Sequence, residues 1–496
     1  MLVRNLKLIA SKDLFYNIFL CFLVLSGCTV GPDYHKTSFR VPASWGQQSL
    51  SSSQTPKHSV VLAEWWRRLN DPILNELINY AIAENNSVAI AKARVREARA
   101  SLGQAVGYLA PSLSTSISGN RSSGQADTSL SQYHGGFDAS WELDFFGGHK
   151  RAVEAARYGL EAVVEDMRAT MVTLLGDVAT NYIEVRGWQQ KLLIVRQIAA
   201  LQRKTLKLVS AKLKAGDVSE LDFSNAQAQM ANTEADIPQM EANLARSIHR
   251  LSVLTGRVPM ALNDLLQKSA KDAKIPQPPW PISAGIPADI LLTRPDLRRA
   301  ERRYAQATAR IGQREADRYP ALTLTGNIST VAATVGQLWK NSTIGWSFGP
   351  NLRFPFFNGG QVVASVALAR AQRDQSFIAY RSAVLEALED VETALVRFTQ
   401  EHHRLEKLVV ANAAYLHSLK LSQRLFENGN TSFLELLNAN HSYYSSQMAL
   451  KDSYISLAIQ YIALMKALGG GWDNMVDVSR PEVVDGVTHL RMKARK

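Results

Sequence analysis

The residues best able to do chemistry in this chain are a serine in the run Gly345-Trp346-Ser347-Phe348-Gly349, an adjacent histidine pair, His402-His403, and two cysteines, Cys21 and Cys28. Gly-x-Ser-x-Gly is the nucleophile elbow of hydrolases, which needs a strand, a sharp turn and then a helix. Here Pro350 and a further alternating run follow instead, and Ser347 falls on the polar side of that alternation, so hydrolysis is set aside. Successive positions on a helix face different sides, so His402 and His403 read as a solvated pair, not a metal site. None of the ten histidines lies in a His-Glu-x-x-His pattern, and no phosphate-binding glycine loop of the Walker A or Gly-x-Gly-x-x-Gly type is present. Two cysteines exclude a disulfide scaffold and any zinc site built on several thiolates. The expectation is no enzyme, no metal and no cofactor beyond a lipid on one cysteine.

That cysteine is Cys28. Arg4, Lys7 and Lys12 precede an apolar run from Leu14 to Leu25, the layout of a bacterial signal peptide over residues 1–27. The run ends in Leu25-Ser26-Gly27-Cys28, which resembles a lipobox, where the cysteine becomes the acylated first residue of the mature chain. Cleavage would discard Cys21 and lower the formal charge from +12 to about +10. Thr29, not an aspartate, follows, and by resemblance to lipoprotein sorting signals this favours the outer membrane. A secreted lipoprotein does not meet nucleic acid, so the basic excess reads as a scattered surface feature. With 46% apolar and 20% charged residues the chain is ordered. Its mean hydropathy of −0.12 argues against a polytopic helical membrane protein.

The elements that position these residues fall into two kinds. Phe137, Ala139, Trp141, Leu143 and Phe145 alternate with Asp138, Ser140, Glu142 and Asp144. Ile344, Trp346, Phe348, Leu352, Phe354 and Phe356 alternate with small or polar residues that include Arg353. With partners at Ser112–Gly119 and Ala321–Ser329 they predict four strands, each with one apolar and one polar face. Their length suits tilted membrane spans, and the polar connections Asn120–Gly136 and Thr330–Thr343 suit extracellular loops. Four strands cannot close a barrel, and an open edge cannot stand in hydrocarbon, so the chain must oligomerise, with eight strands from two copies or twelve from three.

The second kind is very long helices. Gln361–Asn428 holds 68 residues without Gly or Pro, about 100 Å at helical rise. Its apolar positions step by four and three from Val384 through Leu388, Val391, Leu395, Phe398, Leu405, Val409, Leu416 and Leu419 to Phe426, a supercoiling period. Val164 to Leu213 repeats the pattern. Glycine turns follow, and the return segments Val218–Thr255 and Thr431–Leu468 carry the chain back, with Pro238 expected to kink the first. Helices are also expected over Leu77–Gly107 and Ala288–Arg318. The halves match at an offset near 210: Pro111-Ser-Leu-Ser-Thr with Pro320-Ala-Leu-Thr-Leu, Phe145-Phe146 with Phe356-Phe357, and Gly216–Asp222 with Gly429–Glu435. The organisation is a signal (1–27), an N-terminal segment (28–76), a first repeat (77–257), a Pro-rich linker (258–287), a second repeat (288–469) and a C-terminal segment (470–496).

Together the lipobox followed by Gly31-Pro32-Asp33-Tyr34, the run Arg294-Pro295-Asp296-Leu297-Arg298-Arg299-Ala300-Glu301, Tyr319–Leu322 and Pro350–Pro355 resemble the TolC-type outer-membrane efflux proteins, in their NodT or OprM-like lipoprotein branch. The resemblance implies a mixed α/β membrane protein: a homotrimer whose twelve-stranded β-barrel, four strands per chain, continues into a long α-helical coiled-coil barrel with an equatorial domain. It implies a passive exit duct for drugs or other small toxic compounds, docked to a periplasmic adaptor and an inner-membrane RND-type pump. Type I protein secretion shares the architecture and is the alternative. On matching positions the periplasmic gate would use Phe426, Leu434, Glu435 and Asn438, with Asp222 and Asn225 in the first repeat. The family often has an aspartate at the place of Asn438, which shifts the expected acidic ring toward Glu435. The adaptor-docking tips would be Gly216, Asp217, Val218 and Ser219 with Gly429, Asn430, Thr431 and Ser432. Asp138, Glu142, Asp144 and Arg353 would face the lumen. Any acid facing a threefold axis is repeated three times, which favours counter-cations and predicts mild cation selectivity.

Overall fold

A computed structural model describes residues 29–37, 39, 45, 62–123, 129–268, 274–280, 294–472 and 478. The signal segment and Cys28 lie outside the described residues. Two successive copies of one unit, helix–strand–strand–helix–helix, make up the chain. The first copy is α2 (Asn86–Gly107), β1 (Ser112–Ser123), β2 (Ser129–Leu143), α3 (Gly148–Ala215) and α4 (Glu220–Leu254); α1 (Pro72–Glu84) precedes it and the short α5 (Asn263–Lys268) follows. The second is α6 (Pro295–Ala316), β3 (Ala321–Ala332), β4 (Ile344–Arg353), α7 (Gln361–Glu427) and α8 (Phe433–Ala467). The sequence repeat is therefore a structural repeat. The long helices α3 and α7 run for 68 and 67 residues.

Several boundaries differ from expectation for identifiable reasons. Leu77–Gly107 is two helices, because Asn85 interrupts it. The Asn85 side-chain oxygen caps α2 by accepting from the backbone N–H of Ser87 (2.8 Å) and Val88 (3.2 Å), and its Nδ2 donates to the Leu254 carbonyl (2.8 Å). A buried asparagine so satisfied replaces a helical turn without leaving orphan polar groups. Helix α4 runs on through Pro238. The strands β1 and β2 extend to Ser123 and start at Ser129, so most of the expected loop Asn120–Gly136 is paired backbone. On α7 the buried series keeps Val384, Val391, Leu395, Phe398, Leu419 and Phe426, but Val409 is exposed.

The chain forms two compact units, each drawing on both repeats. Residues 94–164 and 299–382, with the N-terminal stretch to Phe39, make the first. It holds one antiparallel sheet in the order β1-β2-β3-β4. Register places Leu113 opposite Ala139, Phe137 opposite Ile328, and Ile328 opposite Trp346, so apolar residues of all four strands share one face. Residues 40–93, 165–298 and 383–496 make the second unit. Its core centres on Trp65, Tyr182, Phe398 and Tyr461, all at most 1% exposed. Asp71 caps α1 through the Ile73 and Leu74 N–H groups, and its other carboxylate oxygen accepts the Tyr182 hydroxyl at 2.6 Å. Arg294, which opens the second repeat, donates to the carbonyl of Ala467 (2.7 Å) and to Asp296 and Asp390. Burial disfavours ionised Asp296, but the Arg294 guanidinium outweighs it and holds that carboxyl below its usual range.

Candidate functional site: the membrane sheet and the helical tips

The sheet presents an apolar face to its surroundings. Ile117 is 81% exposed and Trp346 78%, and Leu113, Phe137, Ile328, Phe348 and Leu352 are exposed with them. An apolar face of this size is stable only against lipid or another apolar surface. Among the described residues its first and last strands, β1 and β4, each leave one edge without a partner. Hydrocarbon cannot satisfy such an edge, so pairing must come from further copies. Among the described residues no helix is long and apolar enough to cross a membrane.

The opposite face is a polar row. Ser114, Asp138, Asn327 and Ser347 lie in one register across the four strands, and Glu142, Thr323 and Asn351 in another. The Ser347 hydroxyl donates to the Asn327 side-chain oxygen at 3.1 Å. That placement, on a strand continuing through Pro350, has none of the geometry of a hydrolase elbow. Asp138 and Glu142 are exposed on this face, and Arg353 ends β4. Asp144 requires correction: β2 ends at Leu143, and the Asp144 carboxylate accepts the Lys150 N–H at 2.7 Å, capping the first turn of α3. It is a helix cap at the foot of the sheet, not a strand residue.

At the C-terminal ends of the long helices the two repeats build the same tip twice. Helix α3 closes with Gly216 at φ +80°, the Asp217 N–H reaching the Lys212 carbonyl (2.9 Å) and the Gly216 N–H reaching that of Leu213 (3.0 Å). Helix α7 closes with Gly429 at φ +75°, Asn430 bonding to Leu425 (2.8 Å) and Gly429 to Phe426 (3.1 Å). Both are Schellman closures, whose left-handed residue favours glycine. The returning helices are capped alike, by Ser219 on the Asp222 N–H (3.2 Å) and Ser432 on the Glu435 N–H (3.3 Å). The Asp222 carboxylate accepts in turn from the Ser219 N–H and hydroxyl, completing a capping box, and Glu435 accepts from the Thr431 hydroxyl.

These contacts sort the expected gate residues. Leu434, Glu435 and Asn438 are exposed on one side of the first turns of α8, while Asp222 and Asn225 are half-buried at matching places on α4. Phe426 does not join them. It is 2% exposed, packed in a cluster with Val209, Ala226, Leu419, Phe433 and Leu436, and capped by the Lys212 ammonium 5.2 Å above its ring. A side chain so enclosed cannot line a passage; it holds the tip together. In the tips themselves Gly216, Asp217, Ser219, Gly429, Asn430 and Ser432 are exposed, and Val218 and Thr431 are half-buried. His402 and His403 also depart from expectation: both ring Nδ1 atoms approach one carboxylate, that of Glu406.

An apolar sheet with two unpaired edges, in one chain with paired helical hairpins of this length, defines the protomer of an oligomeric outer-membrane channel. The comparisons agree. The family described as "Outer membrane efflux protein" matches residues 77–257 and 286–470, and the chain belongs to it. "Nodulation protein T" of Rhizobium leguminosarum bv. trifolii is 32% identical over 456 residues, covering 91% of this chain and 96% of the relative. "Cation efflux system protein CusC" of Escherichia coli O6:H1 is 30% identical over 467 residues, covering 92% and 98%. The solved outer-membrane channel OprN superposes with a TM-score of 0.80 at 30% identity over 90% of this chain and all of that one. The channels of this fold are trimers, twelve strands in all and four from each chain, and they are not enzymes. The protein is thus an outer-membrane efflux channel subunit whose helical part lies in the periplasm.

Proposed function

We propose that the trimer is a passive exit duct for drugs and other small toxic compounds, anchored by acyl chains on Cys28 and docked to a periplasmic adaptor and an RND-type inner-membrane pump. The observation that carries the docking is the doubled tip. One chain offers two turns with the same glycine closure and the same serine cap, so a trimer offers six similar surfaces at Gly216–Ser219 and Gly429–Ser432 to a repeated partner. The efflux cargo is supported by the near-complete coverage of a cation efflux relative. Removing the chain from its host is expected to lower the tolerated concentration of small toxic compounds several-fold, with recovery on complementation. An unchanged tolerance together with loss of a polypeptide from the medium would instead establish the type I secretion reading.

The gate in this reading is a ring of Leu434, Glu435 and Asn438 from three chains. Three carboxylates around one axis repel each other and attract cations. Single channels in planar bilayers are expected to show a cation-side reversal potential in a salt gradient, and Glu435→Gln to move it toward zero. A wild-type reversal potential on the anion side would refute the ring.

A further inference from the structure

Outside the sheet and the tips, one group of side chains converges without a function assigned to it. Among the described residues, His402, His403 and Glu406 are the single set of three potential metal ligands, with ligand atoms within 4.8 Å of one another. The spacing explains it. Glu406 lies four residues beyond His402 and three beyond His403, and both separations bring side chains together on a helix. One carboxylate oxygen is 3.8 Å from His402 Nδ1 and the other 3.4 Å from His403 Nδ1. Two neighbouring histidines on different sides of α7 are thereby gathered by an acid that falls between them.

The arrangement is built around His402. Its ring stacks on Trp280 of the inter-repeat segment, with centroids 3.8 Å apart and planes within 15°. Trp280 is itself braced by Phe398, 5.7 Å away. Burial pushes the His402 imidazole down, against the opposing charge of Glu406. Its Nδ1 is buried and has no hydrogen-bond partner among the described residues. A buried polar atom without a partner is rare enough to need a reason, and a bound ion is one of the few available. Neutral imidazole is a ligand for zinc, copper and nickel, at about 2.0–2.1 Å for zinc. Ligands at that distance around one ion stand a little over 3 Å apart; the three ligand atoms here lie within 4.8 Å of one another, so modest side-chain rotations would draw them around one ion.

We propose that His402, His403 and Glu406 form a binding site for a divalent transition cation on α7, completed by water, separate from the gate and from whatever the duct carries. The site has one shielded ligand and two exposed ones, which makes it exchangeable and not a closed structural centre. A bound ion would fix the His402 ring and with it the seating of the 274–280 segment on α7.

The test uses the full-length trimer in detergent with Cu2+ as probe, since copper binds nitrogen sites most tightly of the first-row divalent ions and is visible by electron paramagnetic resonance. Wild type is expected to bind one more Cu2+ per chain than the double variant His403→Ala/Glu406→Gln, with nitrogen hyperfine structure from two imidazoles. Both replaced side chains are exposed, so the double variant is expected to remain a trimer, checked by its migration. Cu2+ should also quench tryptophan emission, and Trp280→Phe should remove most of that quenching. Equal stoichiometry in wild type and the double variant, or an unchanged nitrogen pattern, would overturn the site.

Discussion

Gly31→Ala is expected to destroy the heat-resistant trimer. Gly31 sits at φ +90°, and a Cβ there would stand 2.3 Å from Gly312 Cα, a backbone atom that cannot step aside. The left-handed conformation alone costs a non-glycine residue about 1–2 kcal/mol, and the overlap must be relieved by lifting the N-terminal stretch off α6. That stretch is what satisfies Arg151, which is 4% exposed and donates to the carbonyls of Val30 and Gly31, both at 3.2 Å, and to the carboxylates of Asp33 and Glu154, both at 2.7 Å. Lifting it strips three of those four partners from a buried guanidinium, a change of the kind that costs about 3–5 kcal/mol. Gly312→Ala should act alike, since its Cβ would meet the Val30 carbonyl at 2.8 Å and Arg151 at 2.9 Å. Against a typical stability of about 5–15 kcal/mol, either change should lower the melting temperature steeply and abolish heat-modifiable trimer migration. Tyr34→Phe, which removes only the hydroxyl that donates to Glu301 at 2.8 Å, serves as a milder comparison, expected to keep the trimer. A Gly31→Ala trimer as heat-resistant as wild type would show that the Gly31–Tyr34 stretch is ornamental to the fold.

The lipobox-proximal motif Gly31–Tyr34 was legible in the sequence as a signature, but its mechanical use was not, because Gly312 and Arg151 are distant in the chain. The same division runs through the molecule. Periods of two and of three-and-four are local, so the strands and long helices, the repeat and the glycine-closed tips could all be read directly. Boundaries failed where local signals were weak. Asn120–Ser123 and Ser129–Gly136 pair as strand without apolar alternation, since residues beyond a membrane band need no apolar face. Asn85 breaks a helix without Gly or Pro, by a cap whose second bond goes to Leu254. Phe426 looked like a gate residue by position, but its burial is decided by Phe433, 5.7 Å away across the turn. For the histidines, what draws the two rings together is Glu406, four residues beyond one and three beyond the other.

The other large effect separates the two sides of the sheet. Phe348 lies in the middle of β4, 73% exposed, opposite Gly326 and on the same face as Trp346 and Leu352. Ser347, its neighbour, points the other way, into the polar row with Asn327 and Asp138. In a transmembrane barrel an arginine at mid-depth on the lipid side costs about 2–4 kcal/mol. A trimer carries three copies of the change, so Phe348→Arg should cost roughly 6–12 kcal/mol per barrel, enough to prevent insertion. Ser347→Arg places the same charge in a water-filled passage, where it should cost little and shift ion selectivity toward anions. The expected result is a pair of opposite phenotypes from adjacent residues: no heat-modifiable trimer in outer membranes for the first, and a correctly inserted channel with altered reversal potential for the second. Equal tolerance of both would place the sheet in water on each side and remove the barrel from the account, whereas equal intolerance would mean that both faces are packed against protein. Only a sheet with lipid on one face and an aqueous passage on the other separates them.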